Sequence, residues 1–215
     1  MKTRNLLLSG LLAGALLLSG CGNSGQAASS ADDSSKPDAS QTDTAYTPDE
    51  ANLHHIEIEV KDYGTIKAEL DAGAAPETVA NFLKLAGDGF YDGLTFHRII
   101  DGFMIQGGDP KGNGTGGSDE TVKGEFSSNG VENPLTHTRG TLSMARANDP
   151  DSGSSQFFIV HEDSTFLDGD YAAFGHVTEG MEIVDKICKD TPVEDNNGTV
   201  IAENQPVITS IKVID

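Results

Sequence analysis

The chain has 215 residues, with 34 acidic against 14 basic side chains, giving a formal net charge of −20. That balance argues against a nucleic-acid partner, because affinity for a phosphate backbone comes mostly from Lys and Arg contacts. Twenty-five glycines and eight prolines in a chain without Trp exclude a coiled coil and point to turns and short elements.

Residues 1–20 open with Lys2 and Arg4 and continue through an apolar run, Leu6 to Leu18, broken only by Ser9, Gly10 and Gly14. This is the layout of a signal peptide, too short and too lightly flanked for a stable membrane span. Its end, Leu18-Ser19-Gly20-Cys21, resembles the bacterial lipobox, in which the cysteine receives a diacylglycerol thioether and becomes the mature N-terminus. An ordinary secretory signal with a chance cysteine is the alternative. The lipobox reading places the mature protein outside the cytoplasm, anchored to a bacterial cell membrane through Cys21.

From Cys21 to Asn52 the composition shifts to Ser, Ala, Asp, Gln, Thr and Pro, with Tyr46 the one aromatic. Such a segment cannot bury enough apolar surface to offset chain entropy, so a disordered acidic tether is expected. Its reach is on the order of 30 Å as a coil and about 105 Å fully stretched.

Residues 53–215 hold the folding unit, still acidic with 28 carboxylates against 11 cations. Ile56, Ile58 and Val60 alternate with charged residues, and after Asp62-Tyr63-Gly64 the alternation resumes at Ile66, Ala68 and Leu70, predicting a hairpin. His54 and His55, at the start of the first strand, are expected to point to opposite faces. Pro76 opens a helix with Val79, Phe82, Leu83 and Ala86 on one stripe, ending near Gly87 and Gly89. Short apolar runs follow at 94–100, 103–107, 140–145, 156–160, 172–177 and 207–213. A second helix surrounds Cys188, whose thiol is expected to be a buried small hydrophobe with no intramolecular partner left once Cys21 is lipidated. The sum is mainly β: eight antiparallel strands, expected to close into a barrel capped by two α-helices.

Several patterns suggest chemistry without supporting it. Gly112-Asn113-Gly114-Thr115-Gly116-Gly117 matches a dinucleotide fingerprint, but no amphipathic helix follows it. The same stretch partly imitates a calcium loop beginning at Asp109, yet Lys111 occupies a ligand position. Asp149, Asp151 and Asp168 could pair as acid and base, though loop composition accounts for them. The six histidines never fall at helical ligand spacing, so neither metal nor cofactor is expected.

The strand pair from Phe96 to Asp109 is different. It places a guanidinium, a Phe, a Met and a primary amide on two strands joined at Asp101-Gly102, and strict alternation would put Arg98 on one face with Phe96 and Ile100. A cation among large apolar groups is costly unless it is paired or used.

The run Phe96-His97-Arg98-Ile99-Ile100-Asp101-Gly102-Phe103-Met104-Ile105-Gln106-Gly107-Gly108-Asp109 resembles the signature of the cyclophilins, peptidyl-prolyl cis-trans isomerases. The likeness continues through Asn113–Gly117, Gly140–Ala145, Gly153–Ile159 and Phe166–Gly169, in order, over essentially all of 53–215. It implies that Arg98 is the catalytic arginine, with Phe103 and Gln106 beside it. Met104, Phe158 and Leu167 would complete the proline pocket with Phe103. Ala145, Arg146 and Gln156 would line the groove for residues before the proline. Phe166 stands where many cyclophilins have Trp, Tyr171 where His is frequent and Arg146 where Asn is common. The first two put tight cyclosporin binding in doubt, and the third bears on sequence preference. The implied partners are proline-containing polypeptides, handled by a monomer. A proline-peptide binding or chaperone module without essential turnover is the rival reading, and Arg98, which a pure binder would not need, separates the two.

Overall fold

The computed structural model describes residues 46–215; the leader, Cys21 and most of the tether lie outside the described residues. The strands are β1 (Leu53–Val60), β2 (Gly64–Asp71), β3 (Phe96–Ile100), β4 (Met104–Gly107), β5 (Thr141–Met144), β6 (Phe157–Val160), β7 (Ala173–Glu179) and β8 (Ile208–Val213). The helices are α1 (Pro76–Gly87) and α2 (Met181–Asp190). All strand pairs are antiparallel, in the order β3-β4-β6-β5-β7-β2-β1-β8.

The expected closed barrel is corrected by this order: the sheet is an open half-barrel. Its two end strands, β3 and β8, share no ladder. Residues 191–207 wedge between them, donating Val200 N–H to His97 O and accepting Ile99 N–H at Gly198 O. The chain leading into β3 meets the start of β8 directly: Thr95 bridges Val207, Gly93 N–H donates to Ile208 O and Ile208 N–H to Leu94 O.

Apolar residues alternate as the sequence requires. Ile56, Ile58, Val60, Ile66, Ala68 and Leu70 are buried in the main core, with Phe82 of α1 and Val184, Ile187 and Cys188 of α2. Phe82 packs its ring 5.0 Å from Tyr91 and 5.2 Å from both Phe157 and Phe174. The start of α1 has no cap from its own flank; the buried Glu125 carboxylate accepts the N–H groups of Glu77 and Thr78 at 2.9 and 2.8 Å. That satisfies two donors the first helical turn leaves unpaired. Burial pushes the Cys188 thiol up to about 12, consistent with a packing role.

Two local expectations change. The last stretch of the expected tether is ordered: Glu50–Asn52 form a 3-10 turn capped by Asp49, and Tyr46 donates its hydroxyl to Asp71 at 2.8 Å. His54 and His55 do not diverge, because both rings turn to the C-terminal residue's side-chain carboxylate, at 2.7 and 3.2 Å from Asp215.

Candidate active site

The site is built on the outer face of β3, β4 and β6. On β4, Ile105 points into the main core while Met104 and Gln106 point outward; on β6, Phe157 and Ile159 go in and Phe158 and Val160 go out. Met104, Phe158, Val160 and Leu167 form a second, smaller apolar cluster, with Ile100, Phe103, Ala145 and Tyr171 against it.

Strict alternation fails on β3, and this places the arginine. Phe96 pairs with Gly107 and Arg98 with Gln106, so β3 advances two residues where β4 advances one, a bulge with His97 as the extra residue. Phe96 therefore enters the main core while Arg98 and Ile100 face the small cluster. The expected shared face of Phe96 and Arg98 is corrected by that bulge.

Arg98 is half-buried and its polar contacts are neutral. Nε donates to Asn197 O at 2.9 Å, Nη2 to Asn197 Oδ1 at 3.2 Å and Nη1 to Gln106 Oε1 at 3.2 Å. Among the described residues no carboxylate lies within salt-bridge distance of it. Burial lowers its pKa, against the weaker pull of Tyr171 and Asp195, yet a guanidinium titrates far above physiological pH and stays charged.

That fixed charge orients a chain of amides. Since Arg98 can only donate, Gln106 must turn its oxygen to it and its nitrogen to Gln156 Oε1, at 2.9 Å. Gln156 then donates to Gly116 O at 2.7 Å. The Gly116 loop is held in turn by Asp109, whose carboxylate accepts the N–H groups of Lys111, Asn113 and Gly114 at 2.8, 3.1 and 2.6 Å. Burial works to raise the Asp109 pKa, but these backbone donors together outweigh it and the net shift is downward. The glycine-rich stretch that imitates nucleotide and calcium loops is thus organised around its own carboxylate.

Arg98, Phe103, Met104, Gln106, Ala145, Arg146, Phe158, Leu167 and Tyr171 line one cavity of about 120 Å³. Gln156 lines the adjoining cavity of about 310 Å³, which shares Gln106, Ala145 and Arg146 with the first. Phe166 stands at the rim, 72% exposed, with its ring 5.6 Å from Phe103. A larger cleft of about 520 Å³ opens elsewhere, between Tyr46, Leu53, Leu135 and His176, with Glu69 and Asp71 as its only charged lining. Among the described residues no Lys or Arg lines it.

Residues 55–213 match the family model described as cyclophilin type peptidyl-prolyl cis-trans isomerase. The chain belongs to that family. Peptidyl-prolyl cis-trans isomerase B of Bacillus subtilis is 50% identical over 144 residues, 67% of this chain and 92% of that protein. A peptidyl-prolyl cis-trans isomerase of Helicobacter pylori is 48% identical over 126 residues, 58% of this chain and 74% of that one. A Cryptosporidium parvum cyclophilin-type isomerase solved in the presence of the dipeptide Ala-Pro superposes with a TM-score of 0.66 at 33% identity, covering 75% of this chain and 99% of that one.

Three side chains that support this cyclophilin's site were not read from the sequence. Asn197 seats two nitrogens of Arg98 from a loop 99 positions away. His137, fully buried, stacks on Phe158 at 6.0 Å and 17°, with Nδ1 2.8 Å from Asp168 and Nε2 2.9 Å from Ser143. Burial lowers its pKa, although Asp168 pulls the other way. His161 holds the turn that carries Phe103. Asp195-Asn196-Asn197-Gly198 reads as a turn, but nothing local says which strand it meets. Arg146 is a wall and not a free cation: its guanidinium lies 4.7 Å over Tyr171 and 5.1 Å over Phe126 and donates to the carbonyls of Asp170 and Ala147.

Proposed function

We propose that Arg98 and the apolar cavity beside it form the catalytic site of this isomerase, and that the chain acts as a lipid-anchored folding factor outside the cytoplasm. The observation that carries the site is a half-buried arginine without a counter-carboxylate among the described residues, at the wall of a pocket lined by Met104, Phe158 and Leu167.

The X-Pro bond has nearly degenerate cis and trans forms, separated by a resonance barrier of about 18–20 kcal/mol. Lowering it requires loss of C–N double-bond character and no nucleophile. The pyrrolidine is held against Phe103, Met104 and Phe158, the backbone on its N-terminal side lies along Ala145 and Gln156, and the carbonyl rotates. The twisted amide nitrogen becomes pyramidal and exposes a lone pair, to which Arg98 donates. Because Gln106 and Asn197 already fix the guanidinium, little reorganisation is needed at that moment. About 7 kcal/mol of such stabilisation would give roughly a 10⁵-fold acceleration.

Arg98→Ala in the otherwise intact chain should lower kcat/KM for a proline peptide by about a hundredfold or more, leaving the melting temperature within a few degrees. Near-parental turnover would remove Arg98 from catalysis and favour a binding module.

The anchor rests on Leu18-Ser19-Gly20-Cys21 at the end of an apolar leader. Metabolic labelling with a fatty acid should mark the parent and be lost in Cys21→Ala; label that persists would reject Cys21 as the lipid site. The proposed clients are proline-containing chains emerging at the membrane, served by a monomer.

A further inference from the structure

We propose that His161 is a positioning residue for the proline pocket, acting through the turn between β3 and β4; this rests on the reading of the Phe103 pocket given above. Ile100 to Phe103 form that turn, closed by Phe103 N–H donating to Ile100 O at 3.0 Å, with Gly102 at φ +77°. Phe103 leaves it directly into the proline cavity. A two-strand turn this short has few interactions of its own, so its pose depends on what grips it from outside.

His161 grips it twice. Its backbone N–H donates to Phe103 O at 2.8 Å, and its Nδ1 lies 2.9 Å from Gly102 N, whose hydrogen it must accept. The donor being a backbone N–H, Nδ1 carries a lone pair and the ring proton sits on Nε2. Nε2 faces Asp185 Oδ1 at 3.0 Å, and Arg139 holds that same oxygen at 2.7 Å while donating to His161 O at 2.7 Å. One tautomer is thereby selected by groups on α2 and on the segment before β5. A line of polar contacts runs from α2, through the ring, to the backbone beside Phe103.

Asp101, His161 and Cys188 also place three potential ligand atoms within 4.8 Å of one another. The imidazole lone pair there already accepts Gly102 N–H, and burial holds the thiol protonated. The observed bonds describe a latch on the turn better than a cation site. The His161 side chain is 10% exposed, so water does not readily replace a lost bond to Gly102.

The test compares amide isosteres in the full chain. In His161→Asn the side-chain oxygen can stand where Nδ1 stands and accept from Gly102; in His161→Gln the amide reaches instead toward the Nε2 position and Asp185. His161→Gln should raise KM for an Ala-Pro peptide and lower kcat/KM about tenfold, with faster hydrogen exchange at the Gly102 amide. His161→Asn should stay within about twofold on both readouts. Asp185→Ala, on the partly exposed side of α2, should cost about threefold by freeing the tautomer, and serves if the histidine variants fold poorly. Parental KM and Gly102 exchange in His161→Gln, or equal damage in the two isosteres, would overturn the proposal. Phe103→Ala run alongside tells the two readings apart: if it impairs turnover while His161→Gln does not, His161 alone is dismissed, and if it is silent the pocket assignment falls and the latch with it.

Discussion

At the residue scale, the candidate site separates what holds the fold from what is proposed to hold a substrate. Phe158 belongs to the small outward cluster and stacks on His137, whereas Phe82 sits at the centre of the aromatic core. Phe158→Ala should therefore raise KM and reduce kcat/KM by about ten- to a hundredfold with a modest loss of stability. Phe82→Ala should cost about 3–5 kcal/mol of folding free energy, the usual range for a buried Phe. Denaturant titration beside a peptide assay separates the effects; a Phe158→Ala chain with parental KM would contradict the pocket assignment. That Arg98, Phe103, Met104 and Gln106 come together at one cavity was legible because they lie within nine residues of each other on a strand pair. Asn197, His137 and His161 were not, since each reaches the site from another part of the chain. Even on β3 the bulge at His97 was hidden, because the inserted residue looks like any other in an alternating run.

At the element scale, the half-barrel depends on the segment that fills its gap. Gly198 stands at φ +79°, and a Cβ there would run into Ile99 O and Ile100 Cγ1. Gly198→Ala combines a left-handed backbone with a collision against β3. It should lower stability by about 1–3 kcal/mol. It should also depress kcat/KM several-fold, because the neighbouring Asn197 orients Arg98. Measuring both is informative: an activity unchanged at full occupancy of the folded state would show that Arg98 does not need this loop. Strand number, both helices and the hairpin were readable from period and turn residues. Openness was not, since eight short runs fit a closed or an open sheet equally well and only the placement of 191–207 decides between them. The cap on α1 was equally non-local: its carboxylate, Glu125, comes from 47 residues beyond Thr78.

At the scale of the whole molecule, acidity and buried imidazoles set the response to pH. Burial lowers the pKa of His97 and His137, in each case against an aspartate that raises it. The folded chain thus keeps both rings neutral at pH values where the unfolded chain binds protons. Stability is then full above about pH 6.5 and declines as pH falls below it. Asp109, Asp151 and Asp195 have lowered pKa values, so their contribution is present above about pH 3.9 and lost as pH falls through the folded values. Melting temperature should be flat from about pH 7 to 8, fall once near pH 6 and again below pH 4, and decline above about pH 8.5, where the unfolded chain ionises the Cys188 thiol that the fold keeps protonated. A flat profile from pH 7 to 4.5 would be incompatible with these buried neutral rings.

The chain's net charge of −20 extends this to the surface it is proposed to occupy. An anionic bilayer should repel the domain within a screening length of about 8–10 Å. Raising salt should shorten a measured domain-to-membrane distance in the anchored protein; a distance independent of salt would mean that charge does not set the standoff.

The loop over the end of the sheet has one more effect. Phe96 and Ile99 give their free-edge N–H groups to Pro206 O and Gly198 O, and His97 O accepts from Val200. These main-chain groups of β3 are already spent, so an extended client chain finds no ladder there to extend. In the proposed role the chain would meet unfolded polypeptides at their most adhesive, and it would offer them the pocket beside Arg98 without offering its nearest strand, so that a client could leave once its peptide bond has turned.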